Sequence, residues 1–199
     1  MTPLIGIILF IALYIVAAYL YPGGSNANKT EKGFNLMTNY WCDLTGDLAK
    51  NGQPNSGQFY ALFAMTILCF SLMVFWFYLP ELFKIKNKTS KIIQYSGIIS
   101  MSVTLFLFTS YHDTVINISG FFCVTAVILT LNELKKHGFN KLLGLGLVCF
   151  AMGSINYGIY QTQQFLFLLA LFQKLTFVLC LTWFGVINLI IYKQKIMVN

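Results

Sequence analysis

The chain of 199 residues is 57% hydrophobic and only 10% charged, and its mean hydropathy is +0.71. Soluble domains carry roughly 25% charged residues, so the composition excludes a soluble globular protein and indicates an integral membrane protein. The net charge of +7 does not indicate nucleic-acid binding, because all 13 basic residues are lysines and most flank apolar runs, as in the positive loops of multi-pass proteins. The absence of arginine, with abundant lysine, asparagine and isoleucine, favours a bacterial source.

Six apolar stretches are long enough to cross a bilayer, whose core of roughly 30 Å needs about 20 helical residues. They are residues 3–21, 59–79, 92–111, 114–131, 142–160 and 165–192. The first stretch has no basic residues ahead of it, so we interpret it as a retained helix and not as a signal peptide. The sequence therefore predicts an all-α integral membrane protein, a six-helix bundle that forms a single membrane domain over residues 1–199.

Lysines set the predicted orientation of these helices. One side of the membrane receives nine of them, four in the loop after the second stretch, three after the fourth and two in the C-terminal tail: Lys84, Lys86, Lys88, Lys91, Lys135, Lys136, Lys141, Lys193 and Lys195. The long loop on the other side has three lysines, offset by three acidic residues: Glu31, Asp43 and Asp47. The positive-inside rule then predicts a multi-pass protein of the cell membrane with both termini in the cytoplasm.

The longest connection, residues 22–57, lies on the side opposite the lysine-rich loops. It begins and ends with turn-forming residues, PGGSN and NGQPNSG, and long loops of compact proteins are usually functional or disordered. Between these turns, apolar residues recur at three- and four-residue steps, which predicts an amphipathic helix across the outer ends of the bundle: Phe34, Met37, Trp41, Leu44 and Leu48. A simple interfacial anchor is the alternative, since tryptophan and tyrosine favour the membrane–water boundary.

Lys174 is the single charged residue within the sixth apolar stretch, residues 165–192. A charged side chain at mid-membrane costs about 2.5–3.5 kcal/mol on insertion scales, so such residues face the bundle interior and find partners. Helical side chains tilt toward the N-terminus, which directs this amine outward. Three roles stay open: an anion contact in a polar pocket, a helix-locking pair with Asp43, Asp47 or Asp113, or an unpaired amine that snorkels.

Polar residues gather in the external loop and in the outer halves of the helices, whereas the inner halves are almost purely apolar. We therefore predict an outward-facing polar pocket under the loop helix, with these ligand-binding residues: Lys174, Gln173, Asn39, Tyr40, Asp47, Asn117, Asn156, Tyr157 and Gln161. If the pocket is catalytic, His112 carries protons near neutral pH with Asp113 or Asp43 as its partner. Lys174 then stabilises a developing negative charge.

The predicted function is binding of a membrane lipid or other anionic amphiphile, with lipid hydrolase or transferase activity if the pocket is catalytic. No serine elbow or cysteine–histidine pair marks a nucleophile, and Thr45 and Ser119 are the remaining hydroxyl candidates. The alternatives are a non-catalytic transporter or lipid-binding protein, and a homo-oligomer or small subunit of a larger membrane complex. Five cysteines without C-x-x-C spacing and two histidines predict no metal site, and no cofactor motif is present.

The stretch Tyr40–Gly46 (YWCDLTG), followed by Asn55 and Gln58-Phe59, resembles a family of bacterial multi-pass membrane proteins with no agreed reaction. That family is distantly similar to the damage-regulated autophagy modulators and the GPI-anchor lipid-remodelling proteins. The resemblance implies six helices, an outward loop helix that bears Asp43, and a function that involves membrane lipids. It covers about twenty residues and the helix layout, and it assigns no role to His112 or Lys174.

Overall fold

A computed structural model describes residues 1–84, 87–109 and 111–197. Six α-helices follow one another: α1 (Thr2–Leu20), α2 (Gln58–Tyr78), α3 (Lys88–Thr104), α4 (His112–Lys136), α5 (Asn140–Thr162) and α6 (Leu166–Ile196). Apolar chains form helices in a bilayer because each backbone N–H and C=O then finds its partner within the helix. The predicted all-α class is confirmed.

Within the described residues, five helical segments are long and apolar enough to cross a membrane: Thr2–Leu20, Gln58–Phe83, His112–Lys136, Asn140–Thr162 and Leu166–Ile196. The second of them joins α2 to a short 3₁₀ helix, Leu79–Phe83. These segments give the chain the character of a membrane-embedded protein. The remaining helix, α3, has 17 residues and is not among the five.

α3 is shifted along the chain relative to its predicted range, 92–111. It begins at Lys88 because Asn87 caps it: Asn87 Oδ1 accepts a hydrogen bond from Ser90 N at 2.9 Å, and Ser90 Oγ accepts one from Asn87 N at 3.1 Å. Such a reciprocal cap satisfies backbone donors that a helix start leaves free. Ser110, in the predicted range of this helix, lies outside the described residues. So does Lys86, one of the nine lysines that predict the orientation.

The six helices form a ring in which each helix contacts the next one along the chain and α6 contacts α1. Residues 21–57 join α1 to α2 at one end of this ring, which we call the loop end. The 3₁₀ helix Leu79–Phe83 lies at the opposite end, which we call the lysine end. There Lys195 Nζ, near the end of α6, lies 3.8 Å from Glu81 Oε2.

The predicted amphipathic loop helix is replaced by a single 3₁₀ helix of five residues, Trp41–Thr45. Met37 and Leu48, two members of the predicted apolar stripe, are 62% and 60% exposed. The side chains of two loop asparagines bond to nearby backbone amides, since Asn39 Oδ1 accepts from Asn35 N at 2.9 Å and Asn35 Oδ1 accepts from Met37 N at 2.8 Å. Asparagine side chains of this kind compete with helical hydrogen bonds, and the segment forms turns.

α2 and α3 approach each other closely in the lysine half of the bundle. Trp76 is fully buried there and lies against Gly97, where an added Cβ would stand 2.2 Å from the indole ring. A glycine at this point of α3 lets the tryptophan of α2 approach the helix backbone, as small residues do between membrane helices.

Candidate functional site

Lys174 on α6 is only 9% exposed, and its amine is enclosed by the loop. Its Nζ donates hydrogen bonds to the carbonyl oxygen of Asn39 at 2.6 Å and to that of Ala170 at 2.9 Å. It also lies 5.6 Å from the ring centroid of Phe34 and 5.6 Å from that of Trp41. Carbonyl oxygens and ring faces both attract an ammonium group. The amine therefore fastens the loop to α6.

Asp43 is held by its own loop. Tyr40 N donates to Asp43 Oδ2 at 2.9 Å, Asn39 Nδ2 donates to the same oxygen at 3.0 Å, and Lys50 Nζ lies 3.4 Å from Oδ1. Its side chain is 2% exposed. Because Asn39 also accepts from Lys174 through its carbonyl oxygen, the amine and the carboxylate are linked through this asparagine.

Two predicted pairings of Asp43 are therefore wrong. Among the described residues, no carboxylate lies within ion-pair distance of Lys174, and the hydrogen bonds of Asp43 go to its own loop and not to His112. The physical reason is that the Tyr40 amide and the Asn39 side chain already donate to Oδ2 of Asp43, and Lys50 lies beside Oδ1. Asp47 is engaged separately, since its Oδ1 accepts from the side chain of Gln58.

The residues that carry the family resemblance stabilise this loop. Asn55 Nδ2 donates to the carbonyl oxygens of Leu44 and Gly46, both at 2.9 Å, and Gly57 N donates to Asn55 Oδ1 at 3.0 Å. Gln58 Nε2 donates to Thr45 O at 3.2 Å. These bonds tie the 3₁₀ helix to the start of α2, so the motif has a structural role here.

A cavity of about 370 Å³, which we call the loop-end cavity, lies between the loop and those ends of α4, α5 and α6 that are nearest to it. Its wall is mostly apolar, with polar side chains at a few points, which is the usual make-up of a ligand pocket. Those polar side chains are Asn26, Tyr40, His112, Asn156, Tyr157, Tyr160, Gln163 and Gln173. Five of them belong to the predicted site, and Lys174 is not part of the wall.

His112 and Asp113 stand at the rim of this cavity with Tyr160 of α5. His112 Nδ1 lies 3.1 Å from Asp113 Oδ1 and 3.4 Å from the Tyr160 hydroxyl. The Tyr160 hydroxyl donates to Asp113 Oδ1. The predicted partnership of His112 with Asp113 is thus present in the structure, and Tyr160 orients both groups. A histidine in this position can accept or donate a proton at the cavity wall.

The other predicted residues divide between the cavity and the surface. Gln173 Oε1 accepts from Trp41 N at 3.3 Å, and Asn156 Nδ2 donates to Phe172 O at 3.2 Å, so both are fixed in the wall. Tyr157 donates to Asn117 Oδ1 at 2.7 Å. Three predicted ligand-binding residues are exposed and do not line the cavity: Asp47, Asn117 and Gln161.

An apolar groove of about 480 Å³ runs along α1 and α6, and we call it the α1–α6 groove. Ile7 and Ile11 line it on α1, and Leu181 and Gly185 line it on α6. At the loop end it adjoins the loop-end cavity, since three aromatic residues line both spaces: Tyr14, Trp41 and Phe177. Trp41 packs between the other two, with ring centroids 4.9 Å from Tyr14 and 5.7 Å from Phe177.

A second interior space of about 200 Å³ lies deeper in the ring and shares Met65 and Phe177 with the loop-end cavity. Its lining is apolar apart from two threonine hydroxyls and two thiols, of Thr104, Thr176, Cys69 and Cys180. Thr104 and Thr176 donate to carbonyl oxygens of their own helices. This space therefore offers no continuous line of polar groups among the described residues.

Cys42 also lines the loop-end cavity. The surrounding protein desolvates its thiol, and the nearby Asp43 carboxylate adds a negative charge, so the pKa of Cys42 is raised to about 11. The thiolate is the nucleophilic form of cysteine. Cys42 is consequently protonated, and a weak nucleophile, at neutral pH.

Sequence reasoning missed the residues that line both the cavity and the groove. Tyr14 and Phe177 lie inside apolar stretches, where an aromatic residue is expected to pack against other helices. The sequence predicts only that Trp41 lies at the membrane interface. A tyrosine in the middle of the first apolar stretch was the available signal, because a buried hydroxyl needs a partner. Tyr14 donates to the carbonyl oxygen of Trp41 at 3.4 Å.

Comparison of the chain with family models, with curated proteins and with solved structures gives no match in any of the three.

Proposed function

We propose that the chain binds a membrane amphiphile, with the polar head in the loop-end cavity and the apolar chain in the α1–α6 groove. The observation that carries this proposal is the shared wall of Tyr14, Trp41 and Phe177 between the two spaces. One space is apolar throughout and the other has a few hydrogen-bonding groups, so together they match a molecule with both characters. Their volumes, about 370 and 480 Å³, are typical of ligand sites.

The head group that suits the cavity is uncharged and forms hydrogen bonds. No lysine belongs to the described wall of the cavity, and Asp113 at its rim would repel an anion. The anionic head expected from Lys174 alone is disfavoured, because that amine already donates to Asn39 and Ala170 beneath two aromatic rings. Hydroxyl or amide groups of a lipid head would instead meet Tyr157, Tyr160 and other neutral side chains of the wall.

The same proposal includes the arrangement of the chain in the membrane. We propose six spans, with α3 as the shortest, in one membrane domain of the cell membrane. The lysine end faces the cytoplasm, as positively charged loops do. The loop-end cavity then opens toward the outer leaflet, where the head of an outer-leaflet lipid would reach it.

A substitution that fills the groove tests the proposal. Gly185 lines the groove, and an added Cβ there meets only Leu4 Cδ1 at 3.6 Å, so Gly185→Leu would occupy the space with little backbone strain. We expect lipid retained through purification, measured by native mass spectrometry, to fall about tenfold, equivalent to about 1.4 kcal/mol of binding free energy. Gly144→Leu is the matched control, because an added Cβ there meets nothing within 4 Å. Equal lipid retention in both variants would contradict the proposal.

A lipid-modifying hydrolase or transferase is the second candidate, and the observation in its favour is His112 at the cavity wall beside Asp113 and Tyr160. His112→Ala should then abolish turnover of the bound lipid and leave its retention unchanged. His137→Ala, at the lysine end, is the control histidine. Retained lipid that is never converted by the wild-type protein would rule out the enzyme and leave the binding protein.

Transport and assembly are the remaining alternatives from the sequence. A transporter needs a polar route across the bundle, and the apolar interior space beside Met65 and Phe177 does not favour one. Assembly as a homo-oligomer or as a subunit of a larger complex is read in the same native mass spectra, because a protein partner and a lipid add very different masses.

A further inference from the structure

The lysine end carries a second cavity, of about 660 Å³, between the end of α2 and the start of α3. We call it the lysine-end cavity. Phe77 and Pro80 form an apolar side, and Lys84 and Lys91 stand at its edge together with Glu81. It lies at the opposite end of the bundle from the loop-end cavity and shares no residue with it.

The charge of this cavity is positive. Glu81 is the one carboxylate of its described wall, and it lies 3.8 Å from Lys195 Nζ. Lys84 and Lys91 are exposed, and neither forms an ion pair with the described residues. Two ammonium groups are therefore available to an anion, while the single negative charge already has a partner.

Specific hydrogen bonds fix the α3 side of this cavity, which carries Lys91. Gln94 Nε2 donates to the carbonyl oxygen of Phe77 at 2.6 Å, which joins α3 to the end of α2. The cap formed by Asn87 and Ser90 fixes the first turn of α3, and Lys91 belongs to that turn. The partial positive charge of a helix N-terminus adds to the attraction for an anion there.

The cavity also has an apolar side that a free ion would not use. Phe77 is 54% exposed, and its ring stands where α2 approaches the end of its apolar run. A ligand with a phosphate group and a hydrocarbon chain would contact the lysines with the first and the Phe77 side with the second. Basic pockets between membrane helices on the cytoplasmic side bind anionic lipid heads in this way.

We propose that the lysine-end cavity binds the phosphate group of an anionic membrane phospholipid, with Lys84 and Lys91 as the phosphate contacts. The site is independent of the loop-end cavity, so it is additional to the function proposed above. The phosphate chemistry would equally suit a free phosphate ester, and the Phe77 side of the cavity favours the lipid.

Binding of defined lipids to the full chain in detergent tests the site. Phosphatidylglycerol and phosphatidylcholine are titrated in turn, and bound lipid is counted by native mass spectrometry. We expect Lys84→Gln with Lys91→Gln to weaken phosphatidylglycerol binding about 30-fold, since each lysine near an anionic head contributes about 1 kcal/mol. Phosphatidylcholine binding should change much less, because its own choline group balances the phosphate charge. The control is Lys29→Gln with Lys32→Gln, which removes the same charge at the loop end.

Three results would overturn the proposal. The first is unchanged phosphatidylglycerol binding in the Lys84 and Lys91 variant, with its thermal unfolding still that of the wild type. The second is an equal loss in the Lys29 and Lys32 control, which would indicate attraction by net charge. The third is displacement of phosphatidylglycerol by an equal concentration of glycerophosphate, which would identify a free phosphate ester as the ligand. Weak competition by glycerophosphate supports the lipid.

Discussion

Replacing Lys174 by methionine should release the loop from α6 without unfolding the bundle. Methionine keeps an unbranched side chain of similar length and removes the charge and the hydrogen-bond donors. The carbonyl oxygen of Asn39 then loses the donor that lies 2.6 Å away. The bond to Ala170 stays within α6 and does not hold the loop.

The size of the effect follows from the contacts that cross from α6 to the loop. A hydrogen bond from an ionised donor is worth about 1.5–3 kcal/mol, and the contacts with the rings of Phe34 and Trp41 add about 0.5–1 kcal/mol each. Enclosing the ammonium group costs part of the about 2.5–3.5 kcal/mol that insertion scales assign to a charge in the membrane. We therefore expect the loop to open more easily by about 2 kcal/mol, which is a factor of about 30.

Hydrogen exchange in lipid nanodiscs measures this opening residue by residue. The amides of Tyr40 and Asp43 are informative, because both donate within the loop, at 2.9 and 3.2 Å. Both amides should exchange about 30-fold faster in Lys174→Met than in the wild type. In Lys174→Gln, which keeps a neutral donor, their exchange rates should lie between those of the wild type and of Lys174→Met. Lys29→Met is the control for a charge loss in the same loop. Unchanged exchange at Tyr40 and Asp43 in Lys174→Met would refute the fastening role of the amine.

Two further predictions concern packing and reactivity. Gly97→Ala places a methyl group against the Trp76 ring and should lower the free energy of unfolding by about 1–3 kcal/mol. Gly120→Ala is the control: nothing lies within 4 Å of its added Cβ, so the free energy of unfolding should stay unchanged or rise by up to about 1 kcal/mol. Thermal unfolding in detergent compares the two variants, and equal midpoints would contradict the close packing of α2 against α3. Because burial and Asp43 raise the pKa of Cys42 to about 11, its alkylation, read by peptide mass, should still accelerate about tenfold per pH unit between pH 7 and 10, since the thiolate reacts. Asp43→Asn should move this profile to lower pH, and a plateau near the ordinary cysteine pKa of about 8.5 would show that the thiol is not desolvated.

The helices that sequence alone predicted well are those whose apolar runs have clear polar ends. The first helix, predicted over 3–21, is Thr2–Leu20, and the fifth, predicted over 142–160, is Asn140–Thr162. α3 was placed less well because its first turn is polar and depends on a side-chain cap at Asn87, not on hydropathy. The loop helix predicted from the apolar spacing does not form, because asparagine side chains bond to backbone amides that a helix would use.

The candidate site was partly visible in the sequence. Polar residues concentrated in the outer halves of the helices predicted a cavity there, and His112 and Gln173 do line one. The sequence correctly predicts that Lys174 has partners, but these are two backbone carbonyls and two aromatic rings, which no charge pattern reveals. The direction of Asp43, toward its own loop and not toward His112, depends equally on backbone donors.

The sequence by itself determined that this protein is helical and membrane-embedded. Hydropathy over about 20 residues is a local property, and an apolar run of that length is enough to cross the bilayer core as a helix. Only the tertiary structure decided that the helices close into a ring with α6 against α1. It also decided that Tyr14, Trp41 and Phe177, from three distant segments, form one wall between a polar cavity and an apolar groove. Such a wall depends on how the helices pack and where the loop folds back. These contacts join residues that are far apart in the chain, and an apolar composition is compatible with many alternative helix packings.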